Sequence, residues 1–180
     1  PKFKVRDHAA TYWYHPHLHS KTNEHVSKGL AGLIIVKDDV EKALKLPRTY
    51  GIDDIPLVLQ TKDFDDKKEI LVHTNSDEVA MVNATIDAEY DMPAQIVRLR
   101  LLNGSSQRAF NIGFTNNKKF FQIASDGGLL DKSVELTRLL LAPGERAEIL
   151  IDLKDYENKT VELKSYASEL PNGIYGATNP

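Results

Sequence analysis

Apolar and polar residues alternate along several short segments of this chain. In the clearest segment, Val97, Leu99 and Leu101 alternate with Arg98 and Arg100. A period of two is typical of a β-strand that packs one face on a core and exposes the other face to water. The predicted strands are residues 33–37, 57–61, 69–73, 97–102, 108–114, 120–125, 134–142, 147–153 and 161–164.

Turn-forming residues separate these strands. Many short strands with turns between them are typical of an antiparallel sandwich or barrel. Helix is scarce, because only residues 39–46 suit a short helix, and Pro47 would end it. The sequence therefore predicts an all-β protein. The predicted turns are Asn103-Gly104, Asn116-Asn117, Gly127-Gly128, Pro143-Gly144 and Glu157-Asn158.

Strand content divides the chain unequally. Residues 51–168 hold enough predicted strands for a complete small sandwich. Residues 1–38 hold too few, because two or three strands are only marginally stable in water. We expect residues 39–50 and the Pro-, Gly- and Asn-rich residues 169–180 to be linkers. The chain starts inside an apparent strand, so we expect it to be a piece of a longer protein, with any targeting segment upstream.

Composition excludes several classes of function. A hydrophobic content of 41% and a charged content of 27% are ordinary for a globular protein. A net charge of -3 gives no electrostatic basis for binding nucleic acid or an anionic membrane. The longest apolar run, residues 29–36, is far shorter than the ~20 residues of a membrane span. The absence of cysteine excludes disulfides, thiolate metal sites and a blue-copper centre within this chain.

Three of the six histidines, His15, His17 and His19, follow the aromatic residues 12–14. In an extended strand, residues two apart point to the same face, so the first two imidazoles would lie side by side, ~6–7 Å apart at the backbone. Pro16 lacks an N–H, so the strand is interrupted, bulged or at an edge there. Three interpretations stay open: solvated histidines on a polar face, a mononuclear zinc site with a further ligand elsewhere, or a copper site.

Other polar residues receive structural interpretations. We expect Asp126 and the pair Asp53-Asp54 to bond backbone N–H groups in loops. Arg98 and Arg100 lie on one strand face and are expected to pair with acids of a neighbouring strand or domain. The remaining histidines are predicted to be surface or loop residues without a supported role: His8, His25 and His73.

The histidine segment stands in a wider sequence context. Residues 13–19, with the sequence Trp-Tyr-His-Pro-His-Leu-His, are followed about ten residues later by Gly-Leu-Ala-Gly-Leu-Ile-Ile-Val at 29–36. Together these segments resemble the end of the first cupredoxin domain of multicopper oxidases, the group that includes laccases, bilirubin oxidases and cuprous oxidases. The resemblance continues through residues 51–56, 99–104, 124–130 and 142–146, and so covers nearly the whole chain.

The resemblance implies a fold and an organisation. We expect cupredoxin-like Greek-key β-sandwiches, with residues 1–38 as the end of domain 1 and residues 51–168 as domain 2, which binds no copper in the family. The motif at His15 and His17 resembles the second of the family's copper-binding motifs. By that resemblance each of these histidines ligates one of the two type 3 coppers of the trinuclear cluster. His19 is expected near them or at the surface, without binding copper.

The same resemblance implies a function for a longer protein. Such an enzyme couples one-electron oxidation of a small molecule or metal ion to the four-electron reduction of O₂ to water. We expect trinuclear and type 1 copper sites in the longer protein, no complete site in this chain, and no activity of this chain alone. Its partners would be the remaining parts of domains 1 and 3, and its location extracytoplasmic.

Two other classes remain. One is a copper-free cupredoxin-fold scaffold of the cell-division type, whose histidine motifs are typically lost. The other is a mononuclear zinc enzyme, for which no third ligand is evident in the sequence.

Overall fold

Short β-strands are the main regular secondary structure of the chain. The computed structural model describes residues 4–72, 74 and 77–177. Among these residues no helix has the length and apolar character that crossing a membrane requires. The α-helices are α1 (Thr22–Ser27) and α2 (Asp39–Ala43). The strands are β1 (Ala10–Tyr14), β2 (Gly32–Val36), β3 (Asp54–Lys62), β4 (Val79–Val82), β5 (Thr85–Ile86), β6 (Ile96–Asn103), β7 (Phe110–Phe114), β8 (Phe120–Ser125), β9 (Gly128–Leu136), β10 (Leu139–Leu141), β11 (Arg146–Asp152) and β12 (Leu163–Ser165).

Ten of the strands form a sandwich. One sheet has seven strands in the order β5-β4-β3-β6-β11-β8-β9, and the other has three in the order β10-β7-β12. All pairs are antiparallel except β3 with β6. The apolar faces of both sheets contribute to one core. The predicted all-β sandwich is therefore confirmed.

The middle strand β6 is buried on both faces. Val97, Leu99 and Leu101 are at most 2% exposed and lie in the core between the sheets. Arg98 and Arg100, on the opposite face, are also at most 2% exposed. The expectation of a water-facing polar side was therefore wrong for this strand. The reason is that further elements of the chain cover that face.

The covering elements are the β1–β2 hairpin and α2. Strands β1 and β2 pair antiparallel, with Thr11 opposite Ile35 and Trp13 opposite Leu33, and β1 contacts β11 and β9. Asp38 links the two covering elements, because its side chain accepts a hydrogen bond from Glu41 N at the start of α2 and another from Ala9 N before β1. The hairpin, α2 and the sandwich are therefore in mutual contact.

The structure corrects several predicted boundaries. The single strand predicted over 134–142 is two strands, because the chain passes from one sheet to the other between β9 and β10. Residues 69–73 form no strand among the described residues, where Ile70 makes only an isolated bridge with Phe64. His73 lies outside the described residues. The helix predicted over 39–46 ends at Ala43. Helix α1 and the short strands β4 and β5 were not predicted.

Candidate metal centre

The two candidate ligands follow directly after β1. The last pair of the hairpin joins Tyr14 to Gly32, so His15 and His17 lie outside the strand in which the sequence placed them. Pro16 gives the physical reason, because it has no N–H with which to continue the strand pairing. Strand β1 therefore positions the motif without containing it.

The imidazole rings of His15 and His17 lie side by side. Their centroids are 6.0 Å apart and their planes are inclined by 32°. The ring of Trp13 also lies next to that of His15, with a centroid distance of 4.4 Å and an inclination of 36°. His15 therefore contacts or neighbours an aromatic ring from both Trp13 and His17. His15 is half-buried and His17 is exposed, so a further group can approach the pair from solvent.

A backbone contact selects the tautomer of His15. Its Nδ1 lies 2.9 Å from the carbonyl oxygen of Pro16. A carbonyl oxygen only accepts, so this hydrogen bond requires the proton on Nδ1. The lone pair of the neutral ring is then on Nε2, which is free to ligate a metal. The motif therefore orients the ring and also its donor atom.

The chain by itself offers only part of a metal site. Within the described residues no three side chains of His, Cys, Asp or Glu come together in a geometry that could hold a metal ion. His19 is exposed, and His25 lies on α1. Two imidazoles suit copper chemically, but transition-metal sites in proteins normally need further ligands. The donor set therefore fits one side of a larger site.

A buried ionic cluster lies beneath the hairpin. We define it as Glu41, Asp54, Arg98, Arg100 and Glu148, each at most 2% exposed. Glu148 connects the two arginines: its Oε2 accepts from Arg98 Nε at 2.9 Å, and its Oε1 accepts from Arg100 Nη1 at 2.7 Å.

The two ends of the cluster are also paired. Arg100 binds Asp54 in a bidentate contact, donating through Nε at 2.6 Å and through Nη2 at 2.9 Å. Arg98 Nη1 donates to Glu41 Oε1 at 2.8 Å, and Glu41 also accepts from the half-buried Arg48. Together with Arg48, the cluster balances three carboxylates with three guanidiniums, so the buried charges are compensated.

Charged neighbours within the cluster favour the ionised forms of Glu41 and Arg98. Burial by itself would raise the pKa of Glu41, but the hydrogen bonds from Arg98 and Arg48 and the positive charges of both side chains together outweigh burial and hold that pKa below its usual range. Burial would likewise lower the pKa of Arg98, but Glu148, Glu41 and Asp54 together hold it above its usual range.

The expected pairing of Arg98 and Arg100 with acids of neighbouring strands is confirmed, but the sequence did not predict the cluster as a unit. Asp54 was expected to bond loop backbone but lies in β3 and binds Arg100, whereas Asp53 accepts from Thr49 N at 2.7 Å. The available signal was the charge on alternate residues of β6 and β11. Arg100 pairs directly opposite Glu148, a cross-strand arrangement that favours opposite charges. Asp126 accepts a hydrogen bond from the backbone N–H of Arg146 at 2.7 Å.

Comparison with families and curated proteins shows what the chain is similar to. A family model described as multicopper oxidase matches residues 1–41. The "Multicopper oxidase mco" of Staphylococcus aureus is 40% identical in an alignment 167 positions long that covers 90% of this chain and 37% of that protein. The "Cell division protein FtsP" of Proteus mirabilis is 38% identical in an alignment 187 positions long that covers 99% of this chain and 40% of that protein. The chain thus spans well under half the length of these relatives.

Solved structures show the same likeness in three dimensions. The McoA multicopper oxidase of Aquifex aeolicus superposes with a TM-score of 0.87 at 36% identity, over 99% of this chain and 41% of that chain. A laccase from Pediococcus acidilactici superposes with a TM-score of 0.86 at 37% identity, over 91% of this chain and 37% of that chain. The sandwich is therefore cupredoxin-like, as the sequence resemblance implied.

Proposed function

Because this chain belongs by sequence and fold to the multicopper oxidase family, we propose that it supplies two ligands of a type 3 copper pair and the middle domain of such an oxidase. The ligands are His15 and His17, one for each copper. The supporting observation is the pair of neighbouring imidazoles. Their ring centroids are 6.0 Å apart, and the lone pair of the neutral His15 ring is on Nε2.

The chain's own residues prepare this half-site. Strand β1 ends directly before the motif and so positions it, and the Pro16 carbonyl fixes the tautomer of His15. Trp13 packs against His15 and limits its rotation. Bound copper would supply one-electron chemistry and affinity for dioxygen. His19 binds no copper in this proposal.

Completion of the site requires more protein than this chain. In the proposed organisation, residues 1–38 end domain 1, residues 39–50 link it to domain 2 at 51–168, and residues 169–180 lead toward domain 3. The outer face of the hairpin supports a covering partner, because Tyr14 is 59% exposed and Ile34 is 46% exposed there. Exposed apolar side chains on a sheet face favour a covering element, and the remaining strands of domain 1 are the proposed cover.

The proposed activity belongs to the complete protein. It couples one-electron oxidation of a small molecule or metal ion to the four-electron reduction of O₂ to water, in an extracytoplasmic location. This chain alone is proposed to be inactive, because it has no cysteine for a type 1 site and only two of the ligands of a trinuclear site.

A copper-free scaffold is the second candidate function. The observation in its favour is the likeness to the cell division protein of Proteus mirabilis, which covers 99% of this chain. The two proposals differ in whether the pair at His15 and His17 binds metal.

The test replaces each histidine in the complete protein. We expect His15→Ala and His17→Ala to abolish oxygen uptake with a phenolic reductant, since each removes one copper ligand, while the blue absorbance of the type 1 copper remains. His19→Ala is the matched control and should retain turnover. Full turnover in either ligand variant contradicts the copper assignment. A wild-type complete protein without copper in elemental analysis supports the scaffold instead.

A further inference from the structure

We propose that Thr11 is a positioning residue whose hydroxyl fastens the histidine hairpin to the buried ionic cluster and so fixes where His15 and His17 stand. The part of this inference that concerns copper rests on the proposed function. The part that concerns the hairpin depends only on contacts within this chain.

The hydroxyl of Thr11 lies between two charged groups. It donates to Glu148 Oε1 at 2.7 Å and accepts from Arg100 Nη1 at 3.0 Å. Thr11 is 1% exposed, so water does not compete for either bond. A hydroxyl has one proton and two lone pairs, and hydrogen bonds to ionised partners are stronger than those between neutral groups. Thr11 therefore joins the hairpin to the sandwich by two charge-assisted bonds.

The position of Thr11 in β1 links it to the histidines. Thr11 and Trp13 are two residues apart, so they share a face of the strand, and the Trp13 ring contacts His15 just beyond the strand end. The backbone of β1 is also bonded to the sandwich at this residue, because Arg146 Nε donates to the carbonyl oxygen of Thr11 at 3.1 Å. A slip of one residue in the hairpin would place Ala10 or Tyr12 over the cluster, and neither offers a short hydroxyl.

The cluster holds the partners of the Thr11 hydroxyl in fixed positions. Its members sit on β3, β6 and β11, the adjacent middle strands of the seven-stranded sheet, and on α2. Asp54 and Glu148 hold Arg100 from two sides. If the Thr11 hydroxyl is removed, Glu148 Oε1 loses a donor and Arg100 Nη1 loses an acceptor in a buried place, which is unfavourable. We then expect the hairpin to separate from the seven-stranded sheet more often and to admit water, while the ion pairs within that sheet remain.

The experiment compares two substitutions of similar size in this chain. Thr11→Val removes the hydroxyl and keeps the shape, whereas Thr11→Ser keeps the hydroxyl and removes a methyl group. Amide hydrogen exchange is followed residue by residue. We expect Thr11→Val to speed exchange in β1 and β2 by about tenfold or more while β6 and β11 keep their protection. Thr11→Ser should leave the hairpin close to wild type.

Two results overturn the positioning role. One is equal hairpin protection in the Val and Ser variants, and the other is equal loss of protection in the hairpin and in β6 and β11, which indicates general destabilisation. If Thr11→Val does not fold, Thr11→Ala provides the same comparison, because it removes the hydroxyl without placing a methyl group against the charges.

Copper content of the complete protein separates this inference from the proposed function. If both hold, Thr11→Val loses type 3 copper but keeps the blue absorbance, and Thr11→Ser keeps both. If the wild-type protein binds no copper, the proposed function fails, and the hydrogen-exchange comparison still decides the role of Thr11.

Discussion

At the scale of single residues, Trp13 lies close to a turn of the sandwich. Gly144 lies between β10 and β11 with φ at +83°, a left-handed conformation that favours glycine. A Cβ at this position would lie 3.3 Å from Cζ2 of Trp13. The turn therefore lies against the side chain that packs on His15, and the absence of a side chain at Gly144 leaves room for Trp13.

Gly144→Ala should disturb this contact. We expect a loss of about 1 kcal/mol in the free energy of unfolding, because alanine is strained at positive φ, together with a change in tryptophan emission. Trp13 is the only tryptophan of the chain, so fluorescence reports on it alone. Gly127→Ala is the matched control, since a Cβ there would meet nothing within 4 Å. Unchanged emission in Gly144→Ala would show that the turn does not position Trp13.

Residue roles were predictable only where the sequence carries the relevant partners close together. His15 and His17 could be paired from their spacing alone, and the structure places their rings side by side. Thr11 gave no comparable signal, because its partners Arg100 and Glu148 lie far along the chain and meet only after the sheet forms. Asp54 was misread for the same reason.

At the scale of elements, α2 is a short helix that covers charged groups of β6. Its Glu41 binds Arg98 within the ionic cluster and also accepts from Arg48, which follows the helix. The pKa of Glu41 is lowered in the folded chain relative to its ordinary value of 4.5. A carboxylate with this shift stabilises the fold at pH values above its ordinary pKa, and that stabilisation is lost as the pH falls through the lower folded pKa.

Acid should therefore weaken the fold in a way that depends on Glu41. We expect the free energy of unfolding to decline as the pH falls below about 4.5, because the unfolded chain then binds more protons than the folded chain. Denaturant titrations at pH 7, 5, 4 and 3 measure this decline. Glu41→Gln should flatten it, whereas Glu135→Gln, at an exposed glutamate paired with Lys119, should not. An equal slope in all three proteins would contradict the role of Glu41.

Elements with strong alternation were predictable, and those set by tertiary contacts were not. Strands β6 and β11 were found because their apolar residues alternate over a long run. The prediction of one strand over 134–142 failed because this segment contains no glycine or proline to mark a break, and only the packing of two sheets decides where the chain crosses between them. The short strands β4 and β5 depend on their pairing with β3 and with each other, which a local pattern does not contain.

At the scale of the whole molecule, the chain joins a two-stranded hairpin to a ten-stranded sandwich. The sandwich has a closed apolar core, whereas the outer face of the hairpin leaves Tyr14 and Ile34 largely exposed. The all-β class and the cupredoxin-like sandwich were predictable from the sequence. The docking of the hairpin on a buried ionic cluster was not, since it joins residues up to 137 positions apart.

Copper bound at the two histidines is the central claim, and X-ray diffraction at the copper absorption edge tests it most directly. Crystals of the complete, copper-loaded protein should show two separate anomalous peaks, one about 2 Å from Nε2 of His15 and the other at the same kind of distance from a ring nitrogen of His17. A single metal shared by both rings, or no anomalous peak within bonding distance of either, would contradict the assignment of a type 3 pair.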